Sequence, residues 1–310
     1  MDFLSILGLG QTALELGLIT GLTVLALFLS YSMLNICDLS TDGCFTLGAA
    51  VGATVAAAGY PYLSIFAAMG AGIVSGLITA FLQTKMGIDS LLSGIIVNTG
   101  LYSINIAIMG SSQVNLNKAD TVFTKMNSLL AETAFSGQSK LVVILIAVVL
   151  VVLFLSVFLK TNLGLAIRAT GNNSAMVKSS SINPVFTIII GLCISNAFTG
   201  LSGCLMAQYN KSANIDIGSG IVTIALASLL IGRAFMGKGK LVFRIIGAVI
   251  GSFVFRLVYT IALRFNMPAS MLKLVSSVIV IIAIAGPYFK KQIPNIRRKF
   301  ASNKRGGEAK

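Results

Sequence analysis

The sequence contains no histidine, and its four cysteines, Cys37, Cys44, Cys193 and Cys204, form no CxxC pair. A zinc site of the Cys/His type is therefore not expected. The missing histidine also excludes Ser-His-Asp and Cys-His nucleophiles. No G-x-x-x-x-G-K-[ST] phosphate loop is present, so the chain is expected to have no nucleotide site of its own. We predict no metal, no cofactor and no catalytic residue.

Charge is also scarce, because only 10% of the residues are charged and 56% are hydrophobic. A soluble domain carries about 25% charged residues. Apolar runs of about 20 residues instead predict membrane-spanning helices. The expected fold is an all-α polytopic bundle of about 8–10 spans over residues 1–289, with a basic cytoplasmic tail over 290–310. The predicted spans are 12–34, 45–60, 62–83, 91–109, 140–159, 185–207, 219–236, 245–263 and 271–289.

The net charge of +14 could indicate a nucleic-acid partner. The lysines and arginines, however, cluster at the ends of apolar runs, where membrane topology and lipid headgroups explain them. We therefore expect no nucleic acid. The gaps 160–184 and 233–244 and the tail after 290 hold most of these residues, which predicts a cytoplasmic C-terminus. Extending the alternation backwards puts the N-terminus outside, although no positive charge precedes Lys85.

The gap between the first two predicted spans contains Asp38, Ser40, Thr41 and Asp42, all of which can cap a helix N-terminus. A run of small residues follows, which suits a helix packed tightly inside a bundle. We predict a broken helix that dips into the membrane, followed by a buried central helix. The alternative is a short cytoplasmic turn. A similar pattern recurs over 214–220, as an inverted repeat would give; the match is short enough to arise by chance.

The stretch 162–183 begins as an amphipathic segment, is predicted to turn at Gly171-Asn172-Asn173, and continues as a short helix that Asn172 and Asn173 can cap. Gly171 is expected to supply the backbone freedom for the turn. A short helix tied to spans at both ends suits contact with a cytoplasmic partner. An ordinary surface loop, tolerant of change, is the alternative. The candidate partner-contact residues are Gly164, Arg168, Gly171, Asn172, Asn173 and Met176.

Polar residues inside apolar runs are the candidates for a translocation pathway. Arg256 could meet a substrate carboxylate, pair with Glu15, or reach toward the membrane surface. Residues on the fourth span could line a pathway or only form interhelical bonds. The candidate pathway residues are Asp38, Ser40, Asn98, Tyr102, Asn105 and Arg256.

Four segments carry a resemblance to a known family. Residues 164–173 fit the pattern G-x-A-x-R-A-x-G-x-N, which resembles the coupling loop of inner-membrane permeases of the ribose and branched-chain amino acid importer type. Residues 34–49, 218–232 and 236–251 are similar to three further blocks of that family. The resemblance covers most of 15–289. Arg233 and Ser181 depart from it, because the family usually has glycine there.

The resemblance implies a bacterial inner-membrane permease subunit of an ATP-driven, binding-protein-dependent importer, which is not itself an enzyme. Its implied partners are a second permease copy, a cytoplasmic ATPase pair that grips 164–182, an extracytoplasmic substrate-binding protein and membrane lipid. The sequence looks most like permeases of the tryptophan/tyrosine type, which implies an aromatic or branched-chain amino acid. The alternatives are a nucleoside or sugar substrate, or a stand-alone secondary transporter, for which only Glu15 and Arg256 offer intramembrane charges.

Overall fold

The computed structural model describes residues 3–129, 138–236 and 239–264, together with isolated positions between 274 and 285. The described part is a helical bundle with one short antiparallel ribbon, in which Gln113 of β1 lies opposite Asn214 of β2. The elements are α1 (Phe3–Leu27), continued by a π-helical turn (Phe28–Met33), α2 (Thr41–Ala57), α3 (Pro61–Thr84), α4 (Ser90–Met109), β1 (Gln113–Asn115), α5 (Val122–Leu129), α6 (Ser139–Phe158), α7 (Asn162–Asn172), α8 (Ser174–Ser179), α9 (Pro184–Asn210), β2 (Ser212–Asn214), α10 (Ile221–Met236) and α11 (Leu241–Arg264).

Among the described residues, six segments are long and apolar enough to cross a membrane: Gly10–Met33, Pro61–Thr84, Ser90–Met109, Ser139–Phe158, Pro184–Asn210 and Leu241–Ala262. The all-α polytopic bundle is therefore confirmed. The second and seventh predicted spans correspond to the shorter helices α2 and α10, of 17 and 16 residues. At 1.5 Å per residue each is about 25 Å long, less than the hydrocarbon core. The predicted ninth span falls mostly, and the tail entirely, outside the described residues.

Helix α9 lies at the centre of the bundle and packs against α2 and α3 through small residues. A Cβ atom on Gly203 would overlap the carbonyl oxygen of Phe45 in α2. A Cβ on Gly72 of α3 would overlap the carbonyl oxygen of Asn196. Backbones this close require glycine at the contact, as in other membrane bundles. The run of small residues in the sequence therefore specifies how near α2 comes to α9.

The chain between the π-helical turn and α2 is not helical, yet several of its residues are buried. Leu34, Asp38 and Ser40 are at most 4% exposed. The Cys44 thiol, in the first turn of α2, contacts the carbonyl oxygen of Asn196 at 3.4 Å, near the middle of α9. Helix α2 therefore begins at about half the depth of the bundle. The broken helix is confirmed, and the alternative of a short surface turn is wrong, because irregular backbone can lie at this depth when protein surrounds it.

Gly203→Ala should destabilise the protein by about 1–3 kcal/mol, because the added methyl group has no space beside Phe45. Gly70→Ala in α3 is the matched control, since nothing lies within 4 Å of a Cβ at that position. Thermal unfolding in detergent should show a clear loss for the first variant only. Equal melting temperatures for the two variants would contradict the close α2–α9 packing.

Candidate functional site

Helices α2 and α10 begin at the same place, where Asp42 joins them. The Asp42 carboxylate accepts hydrogen bonds from the backbone N–H groups of Gly220, at 3.0 Å, and Val222, at 2.8 Å. Gly220 has a φ of +84°, a conformation that glycine adopts at no steric cost. Asp42 lies in the first turn of its own helix, α2, and caps the N-terminus of α10. Two helix starts far apart in sequence are thus one structural unit.

The two short helices leave this point in opposite directions. Ala53 and Ala56 of α2 pack with Ala213 at the ribbon, which defines the ribbon end of the bundle. Gly232 of α10 packs against Gly247, near the start of α11 and at the end where α7 and α8 lie. Helix N-termini carry partial positive charge, and here both converge on the Asp42 carboxylate. The similarity between 35–42 and 214–220 therefore corresponds to two broken segments in contact, as in inverted-repeat transporters.

A polar cleft of about 450 Å³ opens beside this point. Three of the sequence-predicted pathway residues, Asn98, Tyr102 and Asn105, lie on its wall. Tyr102 is 52% exposed, whereas Asn105 is buried and donates to the carbonyl oxygen of Gly43 at 3.2 Å. The full lining is Asp42, Gly43, Thr46, Asn98, Thr99, Tyr102, Ser103, Asn105, Ile215, Asp216 and Ser219. Carboxylates, amides and hydroxyls at this wall can bind a polar solute through hydrogen bonds.

The polarity of the cleft matters because the cleft lies beside the middle of a helix that can span a membrane. Asn98 and Tyr102 lie in the middle of α4, a helix otherwise apolar enough to cross a membrane. Asp216 is exposed on the same cleft. Ionisable and strongly polar groups at such a depth face water or protein and not hydrocarbon. This face of the chain therefore requires a polar neighbour.

Asp38 and Ser40, also predicted on the pathway, are buried and lie outside the wall of this cleft. The Asp38 carboxylate accepts from the Ser40 backbone N–H at 2.9 Å and hydroxyl at 2.6 Å, and from the Asn196 amide at 2.8 Å. These bonds satisfy a buried charge without a cation. They also fix the irregular chain to the middle of α9.

Arg256 is likewise absent from the cleft wall. Its guanidinium lies over the Tyr259 ring, 5.5 Å from the centroid, and its Cβ lies near Gly17 of α1. Glu15 accepts instead from Gln11, at 3.1 Å, and from the Tyr209 hydroxyl, at 2.8 Å. The suggested Glu15–Arg256 pair is therefore wrong, and a cation–π contact takes its place.

The predicted partner-contact stretch forms α7 and α8. The Asn173 side chain accepts from the Met176 N–H at 3.1 Å and caps α8, and the chain turns at this residue. The turn predicted over 171–173, with an asparagine cap, therefore lies at Asn173, whereas Gly171 itself lies within α7 and does not make the turn. A Cβ on Gly171 would overlap the carbonyl oxygen of Met33, so the glycine allows α7 to pack on the end of the π-helical turn.

Of the remaining residues of this stretch, some fix α7 to neighbouring helices and others are exposed. A Cβ on Gly164 would overlap the carbonyl oxygen of Phe158 at the end of α6. The Thr170 and Thr187 hydroxyls lie 2.8 Å apart and connect α7 to α9. Arg168 is partly buried, whereas Met176 is 66% exposed. Asn172 and Asn173 are also exposed, so the α7–α8 junction presents a surface held rigidly against three helices.

Comparison with known proteins decides the family. Residues 11–284 match the model of the permease component of the branched-chain amino acid transport system. The chain belongs to this permease family. It is the permease subunit of an ABC transporter and a multi-pass membrane protein.

Several characterised permeases are similar to this one. The tyrosine transport system permease of Clostridioides difficile is 33% identical over 270 residues, which cover 86% of this permease and 88% of that protein. The galactofuranose transporter permease of Escherichia coli is 24% identical, covering 79% and 69%. The guanosine ABC transporter permease of Bacillus subtilis is 28% identical, covering 56% and 57%. No solved structure is significantly similar to this permease.

Sequence reasoning missed Asp42, Thr46 and Asp216 as residues of the permease cleft. Asp42 and Asp216 were visible as members of the two similar segments. Asp42 and Asp216 share one cleft because Asp42 contacts Gly220, which lies 178 residues later in the chain. No local sequence pattern contains such a contact.

Asp42→Ala should lower the melting temperature of the permease, because loss of the cap costs about 0.5–2 kcal/mol and leaves two partly buried N–H groups without their acceptor. Asp216→Asn is the control, since it changes a carboxylate of the same cleft that is exposed. Thermal unfolding in detergent measures both. An unchanged melting temperature for Asp42→Ala would contradict the assigned cap.

Proposed function

We propose that two copies of this permease face each other across the polar cleft and form the pathway of an ATP-driven amino acid importer. The observation that carries this proposal is the polarity of the cleft at half the membrane depth. A second copy supplies the polar neighbour that this face requires and encloses water between the two. A symmetric pair is also the commonest oligomer, in which one surface patch meets itself.

The α7–α8 end faces the cytoplasm in this proposal, and the N-terminus lies outside. The support is the charge at that end, where Arg168, Lys178, Arg233, Lys240 and Arg244 lie without a comparable number of carboxylates. Cytoplasmic segments of membrane proteins carry this excess of lysine and arginine. The ribbon end then faces the substrate-binding protein, and the protein resides in the bacterial cytoplasmic membrane.

An ATPase pair contacts the α7–α8 junction and supplies the ATP hydrolysis. A continuous series of contacts supports transmission from there to the cleft. Gly171 packs on Met33 and Leu34, and Leu34 packs on Gly191 of α9. The same irregular chain continues through Asp38 to Asp42, which holds α10. A displacement of α7 therefore moves backbone that ends at the cleft.

An aromatic or branched-chain amino acid is the proposed substrate. Two findings support this substrate. The matched family is the permease component of the branched-chain amino acid transport system, and the tyrosine permease is similar over most of both chains. The cleft offers groups for an amino acid, since Asp216 can meet an ammonium group and Tyr102 can contact an aromatic ring. A nucleoside or sugar is the second candidate, because a guanosine permease and a galactofuranose permease are also similar.

Cells that express the permease together with its ATPase and substrate-binding protein should accumulate labelled tyrosine. Unlabelled tryptophan or phenylalanine in excess should compete, whereas guanosine and galactose should not. Cells without the permease give the background. Competition by guanosine alone would assign the nucleoside alternative and reject an amino acid substrate.

Asn173→Ala should weaken ATPase binding about fivefold, because loss of a helix cap costs about 1 kcal/mol and frays α8. Co-purification of the ATPase and the ratio of uptake to ATP hydrolysis measure this. Asn117→Ala is the matched control: it removes an exposed asparagine side chain just after β1, at the ribbon end of the bundle and away from the α7–α8 junction. Wild-type ATPase retention and uptake in Asn173→Ala would favour an ordinary surface loop.

A further inference from the structure

Three arginines from three helices concentrate positive charge at the α7–α8 end. Arg168 lies in α7, Arg233 in the last turn of α10 and Arg244 in the first turn of α11. Within the described part of the chain, the charges that act most on Arg244 come from Arg233 and Arg168, with no carboxylate among them. Repulsion among like charges is therefore not balanced from within this cluster.

Arg244 is held in place without an acid. Its guanidinium lies over the ring of Phe28, 5.6 Å from the centroid, and its side chain is partly buried. Arg233 and Arg244 both line one narrow gap beside Phe28 and Ser32. Where basic residues are merely numerous at a membrane surface, each side chain extends separately into water. A partly buried arginine beside two others instead suits a bound anion, which guanidinium groups hold through paired hydrogen bonds.

The surface next to Arg244 indicates the kind of anion. Phe243, Ile246 and Ile250 are 51%, 37% and 37% exposed, and they follow α11 away from the cluster. Spacings of three and four residues place them on one face of the helix. In a membrane protein such an exposed apolar face lies against hydrocarbon. The arginines therefore lie where a lipid-facing stripe begins, which is the level of the headgroups.

We propose that Arg233 and Arg244 bind the phosphate group of an anionic phospholipid, whose acyl chains lie along Phe243, Ile246 and Ile250. A phospholipid matches both halves of the site, the charge and the apolar stripe. An acidic surface of a soluble protein would reach the arginines but would not cover a stripe within the membrane. Basic pockets between helices at a membrane surface are suited to such headgroups.

Titration of the purified permease in neutral detergent with phosphatidylglycerol tests the proposal, with bound lipid followed by native mass spectrometry and thermal stabilisation. Phosphatidylcholine, which has no net charge, should bind far more weakly. Arg233→Gln and Arg244→Gln should each weaken phosphatidylglycerol binding about fivefold, and the double variant about 25-fold. Lys85→Gln is the matched control, because it removes an exposed cation beyond the end of α3 and should leave binding unchanged.

Arg233 is exposed, so its substitution should leave the fold intact even if Arg244→Gln does not fold. Wild-type affinity for phosphatidylglycerol in Arg233→Gln would overturn the proposal. Equal protection by inorganic phosphate at the same concentration would also overturn it and assign a free anion. So would loss of ATPase co-purification with unchanged lipid binding, since the arginines would then serve an acidic protein surface.

Discussion

The carboxylate of Asp42 accepts hydrogen bonds from backbone N–H groups of α10, a helix that begins inside the bundle. A helix that begins inside a membrane exposes its first N–H groups where no bulk water can bind them, and each unpaired group costs several kcal/mol. Asp42 accepts from two of these groups, at Gly220 and Val222. The negative charge is stabilised in return by the N-termini of α2 and α10. This exchange stabilises the starts of both helices beside the polar cleft.

The irregular chain that leads to Asp42 depends in turn on close backbone packing. Glycines at 48, 52, 72, 200 and 203 let α2 and α3 approach α9 closely enough to exclude lipid from the bundle interior. Asp38 can then be buried, because Ser40 and Asn196 supply the donors that its carboxylate needs. Close packing therefore provides the surroundings in which non-helical backbone is tolerated, and the hydrogen bonds determine where that backbone lies.

Much of this fold could be predicted because it depends on local sequence patterns. Apolar runs locate the long helices, and the capping residues 38–42 followed by small residues identify the broken helix. The polar residues of α4 could be assigned to one wall because helical spacing places them together. Long-range contacts were beyond such reasoning. Gly171 was assigned to a turn because glycine often makes one, whereas its position is explained by the carbonyl oxygen of Met33, 138 residues earlier in the chain. Asp42 was recognised as a possible cap for its own helix, but it caps a different one.

The end of α1 is where these separate constraints meet. Its last turn, Phe28–Met33, is π-helical, a geometry that is rare and often found at functional sites. This turn contacts α7 through Met33 and continues directly into the buried irregular chain. A π-helical turn is wider than an α-helical turn, and its hydrogen bonds hold the backbone less firmly. It can therefore change conformation where the tightly packed α9 cannot. In the proposed importer, a push on α7 is therefore taken up at Phe28–Met33 and passed through residues 34–40 to the first turn of α2 beside the cleft. The glycine contacts meanwhile hold α3, α9 and the rest of α2 against one another.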